Sequence, residues 1–272
     1  MQTRVNENLA PYELFDSLEE LKFLAPLARD WQMDWKSIHG YLKSPQALKK
    51  RAVAEAYLKI APQIVQEVEA AFQQKLLGTL VWMPSFGDFD GFARYELGSH
   101  MVLLGIDYPD ADVDYLKALT AHELSHVYRD HSPRVWEHLG KPLSEVTRRD
   151  YLNASTAAEH LVSEGLATLF SMTLYPEIGP EVHHYYEPYE WKWCEANDED
   201  IAHAIHHSLS TDQDVWSFYS PHRVKRGSPS RVQYYYAAKV LAKRLSGTKA
   251  QKIEQLIKLH QMPFHEFEEF SR

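Results

Sequence analysis

Residues 121–127 read Ala-His-Glu-Leu-Ser-His-Val, with His122 and His126 four positions apart. On a helix that spacing puts both imidazoles on one face, one turn from each other. Two neutral imidazoles so placed bind one Zn²⁺ and leave it positions for a third protein ligand and a water. Glu123 follows the first histidine, where its carboxylate reaches such a water. There it can take a proton and later return it to a leaving amine. The chemistry these residue types support at this spacing is metal-assisted hydrolysis.

A third ligand is expected farther along. Glu164 lies within Ser163-Glu164-Gly165-Leu166-Ala167-Thr168, in the middle of an apolar helical stretch. A carboxylate buried among apolar side chains needs a partner, and a zinc ion held by two histidines needs another ligand. Each deficit answers the other. Gly165 beside it lets backbones approach closely. Glu159 competes for the role, but Thr156-Ala157-Ala158-Glu159 has the form of a capping box, which accounts for that carboxylate.

The elements that must position these groups follow from pattern. The motif lies in a stretch from Asp114 onward with no Gly or Pro. Tyr115, Leu119, His122, His126 and Arg129 fall on one side of it. Asp110, Asp112 and Asp114 suit its start, and Ser132-Pro133 breaks it. Upstream, residues 80–83, 92–95 and 100–106 read as three short strands separated by turn residues. An edge strand beside the site can pair with an extended substrate. The last strand is one that can do so, though the sequence leaves open which is the edge. His100 stands either at the cleft or half-exposed on its strand.

Residues 11–27 and 30–42 read as helices, followed by a longer one after Ser44-Pro45. That one carries Ala52, Ala56, Ile60, Ile64, Val68 and Phe72 on its inner face. Residues 133–155 read as a loop with a short helix. The helix opened by Thr156 stops near Tyr175-Pro176. Residues 176–230 read as irregular, rich in aromatics and histidine, shaping a cleft wall or lid. Two helices close the chain, from Ser230 and from Ala250 to His260. His203, His206 and His207 are set aside as a second metal site, because no acidic or cysteine pattern accompanies them.

Composition excludes several classes. Of 272 residues, 44% are hydrophobic and 25% charged, ordinary for a globular chain. A formal net charge of −9 argues against nucleic acid as a partner. The single cysteine, Cys194, excludes an internal disulfide and a cysteine-based zinc site. No apolar run approaches a membrane span, and residues 1–8 lack a signal-peptide core. A cytoplasmic protein with no membrane or nucleic-acid partner is the expectation.

With His122, Glu123, His126 and Glu164 together, the chain resembles the gluzincins, the thermolysin-like zinc peptidases. In that class two histidines and a glutamate from the following helix hold the metal. The closer resemblance is to the YjaZ-like family of predicted zinc-dependent proteases. Its landmarks here are His122 to His126, Ser163 to Ala167, and a late helix beginning around Arg231 and Tyr234. They cover roughly residues 76–246.

The resemblance implies Tyr234 as the hydroxyl that steadies an oxyanion, with Tyr235 its rival. It implies Arg231 as a substrate-binding or supporting group. Thermolysin-like enzymes commonly place Asp four residues after the ligand glutamate, where this chain has Thr168. Support for a ligand histidine is then expected from Thr168 or elsewhere. The family's late helix usually carries glycines around its tyrosine. Gln233 and Ala237 stand here instead, so the close backbone approach is expected to be lost.

The expected architecture is α+β and zincin-like, mostly helical with a small mixed sheet beside the H-E-x-x-H helix. An N-terminal helical region (1–75) precedes a metallopeptidase region (76–272). The latter comprises a sheet and active-site helix (76–131) and a C-terminal helical part (132–272), all packed as one domain. One Zn²⁺ per chain and a peptide or protein substrate are expected. Two other readings stay open. One is a non-catalytic, zinc-containing regulatory or chaperone-like protein that grips an extended peptide. The other is a zinc hydrolase for a non-peptide substrate. An intact Glu123 argues against the first, because metal binding alone does not require it.

Overall fold

The structure is a computed structural model that describes residues 45–76, 78–83, 90–96, 99–105, 112–146, 150, 156–211 and 215–270. The helices expected over 11–42, the turn over 84–89 and the side chain of His100 lie outside the described residues.

Helix α1 (Pro45–Phe72) starts at one proline and continues through another, Pro62. Its buried stripe is Tyr57, Ala61, Ile64, Val65, Val68 and Phe72. Ala52 and Ala56, expected inward, are exposed. The inner face is set by what it meets. The Tyr57 hydroxyl lies 2.5 Å from Thr120 Oγ1, and Phe72 stacks on Tyr128 and Phe170 with centroids 3.9 and 4.1 Å apart.

Three strands follow: β1 (Thr79–Met83), β2 (Gly91–Glu96) and β3 (Ser99–Gly105). Their order is β1-β3-β2, with β1 parallel and β2 antiparallel to β3. Val102, Leu103 and Leu104 of β3 are all buried. A continuous apolar run of this kind marks a strand covered on both faces. β3 is therefore central, and among the described residues β2 is the edge that packs on the motif helix.

That helix is α2 (Val113–Asp130). Asp112 caps it by accepting the Tyr115 N–H at 2.8 Å. Helix α3 (Ala157–Leu174) is capped by Thr156, which accepts the Glu159 N–H at 3.1 Å. The two helices run antiparallel, and polar rungs hold their register. Ser171 Oγ donates to the Ala118 carbonyl at 3.1 Å. His122 meets Glu164, and His126 meets Ser163. Arg129, fully buried, donates Nε and Nη2 to the Glu159 carboxylate at 2.8 and 2.7 Å. So the Glu159 carboxylate holds Arg129 rather than closing a capping box. Glu159→Ala would leave Arg129 buried and charged without its anion. It is expected to destabilise the protein by about 3–5 kcal/mol in chemical unfolding.

The region expected to be irregular is largely helical: α4 (Pro180–His183), α5 (Pro188–Ala196) and α6 (Asp198–Ser210), then a 3₁₀ turn at Val215–Tyr219. Pro180 and Pro188 occupy first-turn positions, where a missing N–H costs nothing. α7 (Val232–Ala242) and α8 (Lys249–His260) complete the chain. A β-carbon on Gly165 would stand 2.8 Å from Ala237. The close helix approach expected to be lost is thus retained, with the glycine on α3 instead of α7. Apolar residues from Tyr57 to Phe270 form the main core, with Val135, Trp136 and Val146 in a small separate cluster. No helix among the described residues is long and apolar enough to cross a membrane.

Three histidines are locked into this core as neutral groups. Burial lowers His183 and His184 to about 4 and His260 to about 3. His260 donates Nδ1–H to the Leu256 carbonyl, so its Nε2 accepts from Ser125 Oγ at 2.7 Å. Unfolded histidines take up protons near pH 6.5, whereas these resist until about 4 or below. Their contribution is therefore intact above pH 6.5 and lost as pH falls towards 4. Three such groups give a slope of up to about 4 kcal/mol per pH unit. Urea unfolding across that interval is expected to show the decline, with net proton uptake on unfolding.

Candidate metal centre

The rungs between α2 and α3 bring three ligand atoms together. His122 Nε2 lies 3.1 Å from Glu164 Oε2, His126 Nε2 lies 3.1 Å from His122 Nε2, and His126 Nε2 lies 3.5 Å from Glu164 Oε2. Tetrahedral zinc with bonds of ~2.0–2.1 Å holds its ligand atoms about 3.3 Å apart. The triangle fits that geometry. One other group of such residues occurs among the described residues, Glu137, His265 and Glu266. It is largely exposed, and Glu266 there is engaged by Arg134.

Ser163 holds His126 from behind, with its Oγ 2.9 Å from Nδ1. This places the Nε2 lone pair towards the triangle. Thr168 does not take that part: its hydroxyl is buried and has no hydrogen-bond partner among the described residues. The same is true of His122 Nδ1.

The charges are strongly coupled. Burial disfavours ionised Glu164, but the His126 charge and hydrogen bonds from both histidines outweigh it. Its carboxyl stays well below the ordinary range. Burial opposes a charged His126, yet the Glu164 carboxylate lifts it to about 9. His122 is lowered by burial, against its hydrogen bond to Glu164. Burial raises Glu123 to about 8; the His126 charge and a hydrogen bond from the Ala93 backbone act against this. A dication in the triangle would replace the His126 proton and pull Glu123 towards its basic form.

The three successive tyrosines of α7 diverge, as helical rotation requires. Tyr234 stacks on His122, with centroids 5.8 Å apart, and its hydroxyl lies 2.8 Å from that of Tyr219. Tyr235 turns away to Trp191 and lines a separate cavity of ≈ 420 Å³ with Leu169 and Met172. The Tyr236 hydroxyl bonds His206 Nε2 at 2.9 Å, which accounts for one member of the 203–207 histidine cluster.

Arg231 caps α7 in the left-handed conformation, φ 62°. Its guanidinium pairs with Asp90, which also accepts the Tyr115 hydroxyl at 3.2 Å. Arg231 thus stands at the rim of the site with its charge already matched. Asp90 escaped the sequence reading because it sits in a Gly-Asp-rich turn. Its negative charge nonetheless reaches both His122 and Glu123. Tyr185, also not singled out, lies edge-on to His122 at 5.4 Å.

Comparison of the chain with protein-family models, curated proteins and solved structures gives no match.

Proposed function

We propose that this chain is a zincin-like, zinc-dependent peptidase. The observation that carries the proposal is the His122–His126–Glu164 triangle, sized for one zinc ion, with Glu123 buried beside it. His122, His126 and Glu164 would hold the zinc, which would supply Lewis-acid chemistry for a carbonyl and a water. The protein's own groups do the rest.

Glu123 takes a proton from the attacking water as its oxygen bonds to the carbonyl carbon. When the C–N bond breaks, Glu123 gives that proton to the departing nitrogen. Oε2 of Glu123 has no partner among the described residues, so it is open to this exchange. Tyr234, stacked on His122, forms one wall of the reaction space. Arg231 orders the rim through Asp90. Strand β2 supports a peptide substrate, because an edge beside the base offers backbone pairing to an extended chain.

The test is incubation of the zinc-loaded protein with a diverse peptide mixture, read by mass spectrometry, with Glu123→Ala in parallel. Cleavage by the wild type alone is expected. Absence of cleavage by a wild type with zinc bound would contradict the proposal and favour a peptide-binding role.

A further inference from the structure

Tyr185 stands where the backbone asks for glycine. At the end of α4, Tyr185 N–H donates to the Val182 carbonyl at 3.1 Å and Tyr186 N–H to the Glu181 carbonyl at 2.9 Å. This paired closure needs a left-handed residue, usually glycine. Tyr185 supplies it with φ 61°. A β-carbon there is strained, and such strain persists only where the surroundings enforce it.

The surroundings do enforce it. The Tyr186 hydroxyl donates to the Arg231 carbonyl at 2.8 Å. The Arg231 guanidinium covers the Tyr185 ring at 5.4 Å. The rings of His122, Tyr115 and Tyr234 surround it at 5.4, 5.5 and 6.2 Å. These contacts fix the ring but leave its hydroxyl buried with no hydrogen-bond partner among the described residues. Buried hydroxyls are rarely left so. Glu123 Oε2 is also buried and unpartnered. One unused donor thus belongs to a ring packed on His122, and one unused acceptor to the residue that follows His122 in α2. The Tyr234 hydroxyl, by contrast, is already engaged with Tyr219.

We propose that Tyr185 is a catalytic residue whose hydroxyl donates a hydrogen bond to the substrate carbonyl oxygen as it becomes an oxyanion. This assignment rests on reading the site as a peptidase. The proton that Glu123 removes comes from water, and Tyr185 keeps its own. A strained tyrosine with an unused donor is the arrangement expected where a hydrogen bond forms only in the transition state.

The experiment compares zinc-loaded wild type with Tyr185→Phe, Tyr234→Phe and Glu123→Gln. One readout is hydrolysis of the best-cleaved peptide. The other is calorimetric affinity for a phosphinic peptide, whose tetrahedral P–O⁻ mimics the oxyanion. Tyr185→Phe is expected to lower kcat about 10²- to 10³-fold with KM within about twofold. It should weaken the phosphinic peptide by at least about tenfold while zinc content and thermal midpoint hold. Tyr234→Phe, which removes the hydroxyl bonded to Tyr219 on the wall of the site, should lower kcat and phosphinate affinity by at least about tenfold less than Tyr185→Phe does. Wild-type kcat and phosphinate affinity in Tyr185→Phe, with Glu123→Gln inactive, would overturn the assignment and leave the peptidase reading standing. A zinc-loaded wild type that neither hydrolyses peptides nor binds the phosphinic peptide would overturn both.

Discussion

Glu123→Gln is expected to lower kcat/KM by about 10²- to 10⁴-fold while the protein keeps one zinc per chain. Gln preserves the side chain's size and its hydrogen bond from the Ala93 backbone, so the fold and the ligand triangle are undisturbed. What it loses is the ability to accept a proton and return it. Glu123 is not one of the three ligand residues, so metal content separates its role from theirs. The wild-type rate should rise with pH as Glu123 deprotonates, from a folded value raised to about 8 before a dication pulls it down. Steady-state kinetics with metal analysis of the same preparation checks the prediction. A zinc-replete Glu123→Gln enzyme with wild-type turnover would remove Glu123 from the mechanism.

Glu164→Ala is expected to weaken zinc binding by about 10²- to 10³-fold. That is one ligand's share of a zinc-site free energy of ~10–16 kcal/mol spread over four positions. The pH dependence should change as well. In the wild type, His126 holds its proton up to about 9 because Glu164 faces it. Zinc must displace that proton, so affinity rises with pH up to that value and binding releases a proton. Without Glu164, burial dominates and His126 turns neutral at lower pH. Proton release near neutrality should therefore diminish, although affinity is lower throughout. Chelator competition at several pH values measures both effects. Unchanged affinity in Glu164→Ala would place the third ligand elsewhere.

The legible parts of this protein were those written in local spacing. His122 and His126 meet because they are four residues apart on one helix. Glu164 was found through a deficit, since a carboxylate in an apolar helix needs a counter-charge. Tertiary contacts were harder. Arg129 shares the histidine face, yet Glu159 on α3 claims it. A capping pattern alone could not reveal that partner of the Glu159 carboxylate. Ser163, one residue before Glu164, supports His126 in the place considered for Thr168, because the antiparallel register aims it there.

Aromatics and histidines between 176 and 230 suggested irregular chain, whereas Pro180 and Pro188 start α4 and α5 there. Which strand was central depended on a crossover that no strand encodes alone. Tyr185 had no local signal at all. Its φ and its unpartnered hydroxyl exist only once α4, α7 and the motif helix are assembled. The architecture that resulted, mostly helical with a small mixed sheet beside the motif helix, is the coarse form expected.

The central claim is a single zinc ion held by His122, His126 and Glu164. Zinc K-edge X-ray absorption on the purified full chain, with metal quantified, tests it most directly. The account predicts one zinc per chain, with about four nitrogen and oxygen neighbours at ~2.0–2.2 Å, imidazole scattering and no sulfur. It also predicts loss of that spectrum in His122→Ala. A chain that takes up no stoichiometric zinc, or one whose zinc spectrum is unchanged in His122→Ala, would contradict it.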